Sequence, residues 1–101
     1  MDINFKVEDY IFEWDDEKAE INKNKHKVMF SVAAKVFLDE NRIEYYDDFN
    51  SNDEDRYKVI GKVENILVVI YTERNEKIRI ISARLATKKE QEEYYGQFSY
   101  L

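Results

Sequence analysis

Apolar residues along the chain form two dense runs in its second half. Ile66–Thr72 is apolar on both faces, and Ile78–Ala83 follows it after a polar turn that contains Asn75. Strands that are apolar on both faces are typical of a sheet interior, so we predict Ile66–Thr72 to be a central strand with Ile78–Ala83 as its antiparallel partner. Arg56–Val63 alternates polar and apolar residues, which indicates a strand with one buried face. Asn75 is expected to take a positive φ in the turn.

Helical signals flank this strand region on both sides. A polar helix is expected after a cap at Asp15 or Asp16, and a shorter helix after a cap at Ser31. Thr87–Glu90 has the pattern of a capping box, which predicts a C-terminal helix that runs to about Tyr95.

These elements predict one α+β domain spanning residues 1–101, with the order helix–helix–strands–helix. The sheet is expected to be small and antiparallel, with three to four strands, because the short turns leave no room for parallel crossovers. Ile11–Trp14 is interpreted as a first strand or an anchoring arm, and Arg42–Tyr46 as a short strand. Strand alternation and the stripe of the second helix, Val32–Leu38, predict a core of Trp14, Val32, Val36, Phe37, Val59, Val69, Tyr71 and Ile80.

Composition narrows the classes of function. The chain has 101 residues, no cysteine and only two glycines, which excludes thiolate metal sites and glycine-rich phosphate loops. Its longest apolar run has the length of a strand and is too short to span a bilayer. The absence of cysteine suits a reducing cytoplasm. The net charge of −6 argues against an unaided nucleic-acid binder.

The charge is unevenly distributed. From Arg56 to Lys89 there are nine basic and three acidic residues, whereas the rest of the chain has seven basic and 19 acidic residues. Arginine on a strand needs solvent or a partner, and its planar fork binds phosphate or carboxylate through two hydrogen bonds. The basic segment therefore raises the question of which anion its arginines face.

The residue types are compatible with metal-independent RNA cleavage but are not specific for it. RNA is cleaved without metal when a base takes the 2′-OH proton and cations stabilise the phosphorane, roles that suit His26 and the arginines. Simpler interpretations remain open: His26 as a partner of a helix dipole, and Arg79 as half of an ion pair with Glu73 or Glu76. A metal nuclease using Asp47, Asp48, Asp53 and Glu54 is a third alternative.

Two stretches carry an ordered series of residues typical of one bacterial family. The first is Phe12–Asp15 (FEWD), followed by Lys18-Ala19, Asn22 and Lys25-His26. The second joins Arg79–Arg84 (RIISAR) to Ala86–Glu90 (ATKKE). In this combination, over roughly Phe12 to Tyr95, the chain resembles the BrnT family of bacterial toxins.

The resemblance implies a fold like the RelE-type ribonuclease toxins and a cytoplasmic toxin of a type II toxin–antitoxin pair that inhibits growth by RNA cleavage. It implies a BrnA-like antitoxin as partner, with operator DNA contacted only through that antitoxin. No cofactor and no metal are expected. An alternative is a non-catalytic binding module that caps a DNA-binding antitoxin and acts in operon autoregulation, its acidic surface docking a basic partner.

The family's functional residues are carried over by position. Arg79 and Arg84 are expected to hold the scissile phosphate, with His26 or Glu54 as base. Lys25, Arg56 and Arg74 are expected to bind RNA.

Two positions depart from the family pattern, and the C-terminal end raises a separate expectation. Lys27 stands where a glycine commonly follows Lys-His, so the helix end is expected to differ, and Asn75 stands where the hairpin turn favours glycine. The C-terminal helix is expected to carry Tyr94, Tyr95 and Phe98, with Tyr100 and Leu101 beyond it. Those that the core leaves unburied would form an apolar patch, which predicts docking on a second copy or on the antitoxin. The alternative is that this helix folds back over its own sheet.

Overall fold

The structure is a computed structural model, and it describes residues 1–99. Its strands are β1 (Asp2–Val7), β2 (Tyr10–Asp15), β3 (Ile43–Tyr46), β4 (Tyr57–Val63), β5 (Asn65–Arg74) and β6 (Lys77–Leu85). Its helices are α1 (Asp16–His26), α2 (Phe30–Ala33), a 3₁₀ helix (Ala34–Leu38) and α3 (Lys88–Gly96). The strands form one sheet in the order β1-β2-β6-β5-β4-β3.

The α+β class and the antiparallel pairing of β4, β5 and β6 are as predicted. The turns between these strands are tight. Glu64, at the first, has a φ of 63°. Asn75 and Glu76, at the second, have φ values of 51° and 65°. Both hairpins therefore depend on residues other than glycine that adopt the left-handed backbone conformation.

Two features of the predicted sheet are wrong. It has six strands among residues 1–99 instead of three to four, because the N-terminal segment forms a hairpin before α1. The predicted order helix–helix–strands–helix is therefore wrong as well, since two strands precede the first helix. The sheet is also mixed, since β2 runs parallel to β6 with Phe12 opposite Ile78 and Glu13 opposite Arg79. The chain passes through α1 and three intervening strands between β2 and β6. That connection is long enough for a parallel pair, which reasoning from short turns could not reveal.

Helix starts follow their capping residues in two of three places. The Asp15 carboxylate accepts from the Lys18 N–H at 3.0 Å, and the Thr87 capping box has both of its hydrogen bonds. The predicted cap at Ser31 is wrong. The second helix begins at Phe30 after Met29, which has extended backbone and makes no side-chain cap.

The sheet has one face that is almost fully covered, here termed the closed face. It carries Phe12, Trp14, Val59, Val69, Tyr71, Ile80 and Ala83, and it packs against α1, α2 and the 3₁₀ helix. Seven of the eight predicted core residues are buried. Val32 is 37% exposed, because the predicted helix changes to a 3₁₀ helix at Ala34 and the apolar stripe does not continue.

The opposite face, here termed the open face, is covered only in part. α3 packs over Ile60, Ile66 and Val68 through Tyr94, and Ala86, just before the helix, belongs to the same apolar cluster. Lys58, Ile70 and Ser82 also point to this face and remain half-buried. The open face therefore offers an accessible polar surface beside α3.

Candidate functional site

A β-bulge in β6 decides which way its arginines point. Ile70 lies opposite Ser82 but Tyr71 lies opposite Ile80, so Ile81 is an extra residue with no partner on β5. Arg79 and Arg84 are five residues apart and would point to opposite faces of a regular strand. The bulge places both on the open face.

Arg84 belongs to an ion cluster at the start of α3. Its guanidinium donates to both carboxylate oxygens of Glu90, at 2.7 and 2.9 Å. Lys58 Nζ lies 3.0 Å from the same carboxylate, and the Thr87 N–H donates to it at 2.8 Å. The hydrogen bonds from Arg84, then those from Thr87 and Lys58, hold the pKa of Glu90 well below its usual range despite burial. One carboxylate thus fixes two cations and caps the helix.

Arg79 lies in a second cluster, also on the open face but at the side of β6 that pairs with β2. It donates to Asp2 at 3.1 Å and to Glu13 at 2.5 Å, and these hydrogen bonds raise the pKa of Arg79. The predicted partners Glu73 and Glu76 are wrong, because Glu13 is the residue opposite Arg79 on the parallel strand β2. The two arginines turn toward opposite sides of β6, with their Cα atoms roughly 15 Å apart along the strand.

Arg74 and Glu54 form a third cluster, at the tip of the β5–β6 hairpin. Arg74 donates through two nitrogens to both oxygens of Glu54, at 2.9 to 3.1 Å. Arg56 lies 3.8 Å from the same carboxylate. Glu54 is therefore held between two arginines.

α1 occupies the edge of β6 beyond the point where β2 ends. The buried Asn22 donates to the Ala83 carbonyl at 2.8 Å and accepts from the Ala83 N–H at 3.1 Å. It also donates to the Val28 carbonyl at 3.1 Å. The side-chain amide thus takes the place of a neighbouring strand and fixes the distance between α1 and β6.

This arrangement creates a groove of about 250 Å³ between α1 and the bulge of β6, here termed the edge groove. It is lined by Lys18, Ile21, Asn22, Lys25, His26, Ile81 and Ser82. Within residues 1–99, no carboxylate oxygen lies within 4.0 Å of the charged groups of Lys18, Lys25 or His26. Ser82 shares the open face with Arg84, two residues further along β6. The groove is therefore a cationic site with one histidine, and Arg84 lies two residues beyond its lining residue Ser82.

The structure brings together only some of the predicted site residues. Lys25 and His26 line one groove, with Arg84 nearby. Arg79 lies further along the open face, and Glu54, Arg56 and Arg74 lie at the hairpin tip, where they also line a separate pocket of about 380 Å³. The arrangement thus consists of separate ion clusters, and no single anion contacts both Arg79 and Arg84.

Sequence reasoning missed Lys58, Ser82 and Glu90 as parts of the site. Lys58 and Glu90 are 32 positions apart, and no periodicity links them. The sequence identifies Glu90 only as half of a capping box, although a carboxylate six residues after Arg84 is a signal for an ion pair between the two.

The remaining expectations concern the acidic loop and the C-terminal end. Residues 1–99 contain no group of three or more His, Asp or Glu side chains placed to hold a metal ion. Tyr94 is buried, with its hydroxyl donating to Asp39 at 2.5 Å, and Phe98 packs against the same cluster. α3 thus folds back over its own sheet, and Tyr95 is left exposed. Tyr100 and Leu101 lie outside the described residues.

The fold and the groove together define a small α+β protein with cations and a histidine at one edge of an open sheet face. The family model described as "Ribonuclease toxin, BrnT, of type II toxin-antitoxin system" matches residues 14–90. The chain therefore belongs to the BrnT family of ribonuclease toxins of type II toxin–antitoxin systems.

A solved structure gives a consistent result for the fold. The chain is similar to the 1.1 Å crystal structure of the Brucella abortus ribonuclease toxin BrnT, with a TM-score of 0.60 and 24% identity. The match covers 74% of this chain and 94% of that one. A comparison with curated proteins gives no match. In the part of the chain that the structure describes, no helix is long and apolar enough to cross a membrane.

Proposed function

We propose that this protein is a cytoplasmic toxin that inhibits growth as a metal-independent endoribonuclease, and that a BrnA-like antitoxin neutralises it. Family membership supports the class, and the edge groove supports the chemistry. The observation that carries the proposal is the position of His26, which shares the groove with Lys18, Lys25 and Ser82, close to Arg84.

His26 is proposed as the general base. Histidine exchanges protons near neutral pH, so it can take the proton of a 2′-OH as that oxygen attacks the adjacent phosphorus. The bond from phosphorus to the 5′-oxygen then breaks, which leaves a 2′,3′-cyclic phosphate, and the leaving oxygen takes up a proton from water. Lys25 and Arg84 stabilise the charge that develops on the phosphorane, in the manner of fixed donors in other active sites.

The other arginines are proposed to bind RNA away from the scissile phosphate. Arg79 is roughly 15 Å from Arg84 along β6, so it contacts a different phosphate. Arg56 and Arg74 contact the backbone at the hairpin tip, where Glu54 sets their positions. In this arrangement Glu54 is distant from His26, and we therefore assign the base to His26 and not to Glu54.

The test is RNA cleavage by purified protein in excess chelator. His26→Gln is expected to lower the cleavage rate at least 100-fold, the usual contribution of a general base. Lys25→Ala is expected to lower it less. Lys23→Ala is the matched control, because Lys23 lies on the same helix but does not line the edge groove, and it should leave the rate unchanged.

A wild-type rate in His26→Gln would contradict the assignment, and activity only after magnesium is added would contradict metal independence. Arg84→Ala is a weaker test, because it removes a partner of the buried Glu90 carboxylate. A loss of cleavage in this variant would then combine a loss of activity with a loss of folding stability. Growth of a bacterial host that expresses each variant, with and without the antitoxin, tests the toxin role. His26→Gln should grow normally, and the antitoxin should restore growth to wild-type cultures.

One observation favours the non-catalytic alternative. Arg74, Arg79 and Arg84 each have a carboxylate partner inside the chain, so much of the basic charge is already neutralised. A module of this kind would bind the antitoxin and support operon autoregulation without cleaving RNA. Purified protein that binds antitoxin tightly, yet leaves RNA intact in chelator and in magnesium alike, would establish it.

A further inference from the structure

A further pocket, distinct from the one at the hairpin tip, lies at the β3 edge of the sheet, across the sheet from the edge groove. It has a volume of about 380 Å³ and is lined by Tyr45, Tyr46, Asp47, Lys58 and Glu93. These residues come from β3 and the residue after it, β4 and α3, so the pocket depends on the folded arrangement of three elements. Tyr45 is 37% exposed, and Tyr46 is more exposed still.

Strand register connects this pocket to the edge groove. Tyr45 lies opposite Lys58, Lys58 opposite Ile70, and Ile70 opposite Ser82. These four side chains therefore form one row across β3, β4, β5 and β6 on the open face. Adjacent strands are about 4.8 Å apart, so Tyr45 is about 14 Å from Ser82, which lines the groove.

The row is accessible along its length. Ile70 and Ser82 are half-buried, whereas the next row, Ile60 and Val68, is fully covered by α3. A nucleic-acid strand rises about 3.4 Å per nucleotide when stacked, so about four nucleotides, or fewer if extended, reach from the groove to the pocket.

The chemistry of the pocket fits a nucleobase better than a phosphate. Aromatic rings stack on the face of any base, whereas Asp47 and Glu93 repel phosphate. A carboxylate accepts hydrogen bonds from the exocyclic amino group of a base, as Glu and Asp do with the N4 amino group of cytosine. The Lys58 ammonium group, which lies 3.0 Å from the Glu90 carboxylate, supplies a hydrogen-bond donor in a fixed position in the same pocket.

We propose that this pocket is a nucleobase subsite, in which Tyr45 stacks on the base and Glu93 accepts from its exocyclic amino group. Cytosine, adenine and guanine carry such a group and uracil does not, so the subsite selects against uridine a few nucleotides from the cleavage point. The subsite rests on the function proposed above for its connection to the groove. Its test is nevertheless independent of cleavage.

The experiment measures binding of 2′-O-methyl uridine octamers, which cannot be cleaved, by fluorescence anisotropy. In each octamer one uridine is replaced by cytidine, at successive positions. Wild-type protein should bind one of these octamers about 5- to 10-fold more tightly than the all-uridine octamer. Glu93→Ala should abolish that difference. Glu92→Ala is the control, because it is exposed on the same helix but does not line the pocket.

Tyr45→Ala should weaken binding of every octamer about fivefold or more, because stacking does not depend on the base. Equal affinity for all octamers, a preference that survives Glu93→Ala, or no binding at all would overturn the subsite. Loss of antitoxin affinity in Tyr45→Ala with unchanged RNA affinity would do so as well, and would assign the pocket to the protein partner.

Cleavage in chelator, measured in parallel, separates the two proposals. If the protein cleaves unmodified RNA but binds all octamers equally, the subsite is refuted and the ribonuclease assignment is intact. If it binds one cytidine-containing octamer more tightly but does not cleave unmodified RNA, the subsite is supported and the ribonuclease assignment is refuted.

Discussion

The two faces of the sheet are built from the same strands and differ in nearly every physical respect. On the closed face, aromatic and aliphatic side chains interlock, and Phe37 lies within 6 Å of the rings of Tyr10, Phe12 and Tyr71. On the open face, α3 covers one end, and the rest carries ion clusters and two pockets. The difference indicates that folding stability comes mainly from the closed face, which leaves the open face free for binding.

The open face is also more ordered than its polarity suggests. Arg79 and Arg84 are each held by a carboxylate, so contacts within the chain fix their positions. The same pairs neutralise much of the basic charge of the strand region, in a chain whose net charge is −6. The free cations Lys18 and Lys25 then become the clearest attraction for phosphate.

The largest expected difference between the faces lies in two adjacent residues of β2. Phe12 is fully buried on the closed face, and Ile11 is 42% exposed on the open face. Phe12→Ala is expected to lower the free energy of unfolding by about 3–5 kcal/mol, since it leaves a large cavity. Ile11→Ala should cost about 1 kcal/mol or less. Urea denaturation measures both, and similar losses would contradict the division between the faces.

The contact between α1 and β6 is the next test, because it joins the closed face to the edge groove. Asn22→Ala leaves the Ala83 N–H and C=O without their partner, so it should cost about 2–3 kcal/mol. Asn24→Ala, on the exposed side of the same helix, should be nearly neutral. If Asn22→Ala were as stable as wild type, the amide would not be what fixes α1 against β6.

Glu90 tests how much the open face contributes to stability. Glu90→Gln preserves the capping box but loses the charged bonds to Arg84 and Lys58, so it should cost about 1–2 kcal/mol at pH 7. The pKa of Glu90 is lower in the folded chain than its ordinary value of 4.5, so the stability that the Glu90 charge contributes is present above that pH and is lost as the pH falls further.

The stabilities of wild type and Glu90→Gln should therefore converge as the pH falls below about 4. Chemical denaturation across that range measures the difference, with exposed Glu92→Gln as the control. A gap between the two proteins that stays constant with pH would show that the ion cluster does not depend on the Glu90 charge.

The smallest effect is expected at the end of α1, beside the groove. Lys27 ends the helix with a φ of 61°, and its N–H donates to the Lys23 carbonyl at 2.9 Å. A lysine in the left-handed region is strained, so Lys27→Gly should stabilise the protein by about 0.5–1 kcal/mol. Thermal unfolding measures this, and a destabilised variant would mean that the Lys27 side chain makes a compensating contact.

Lys27 also shows what sequence can predict. The helix was expected to end differently without glycine, yet it ends at His26 with lysine in the glycine conformation. Caps at Asp15 and Thr87, and the hairpin at Asn75, were predictable because they depend on residues within a few positions of one another. Most of the closed-face core followed from alternation for the same reason.

The features that sequence could not give depend on distant contacts. The bulge at Ile81 changes which face Arg79 occupies relative to Arg84, and strand alternation alone assigns them to opposite faces. The pairing of Arg79 with Glu13 requires the parallel contact between β2 and β6. β1 could not be assigned with certainty although Ile3, Phe5 and Val7 alternate with polar residues, because a strand of six residues with no fully buried position gives a weak periodic signal.

The most direct test of the central claim, that RNA binds the edge groove on the open face, is a titration of ¹⁵N-labelled protein with non-cleavable RNA followed by amide chemical shifts. The account predicts that the largest shifts fall on Lys18–His26 and on Ile81–Arg84, with smaller ones at Tyr45 and Lys58. Shifts concentrated at the hairpin tip around Glu54 and Arg74, or on α2 and the 3₁₀ helix beneath the closed face, would contradict it.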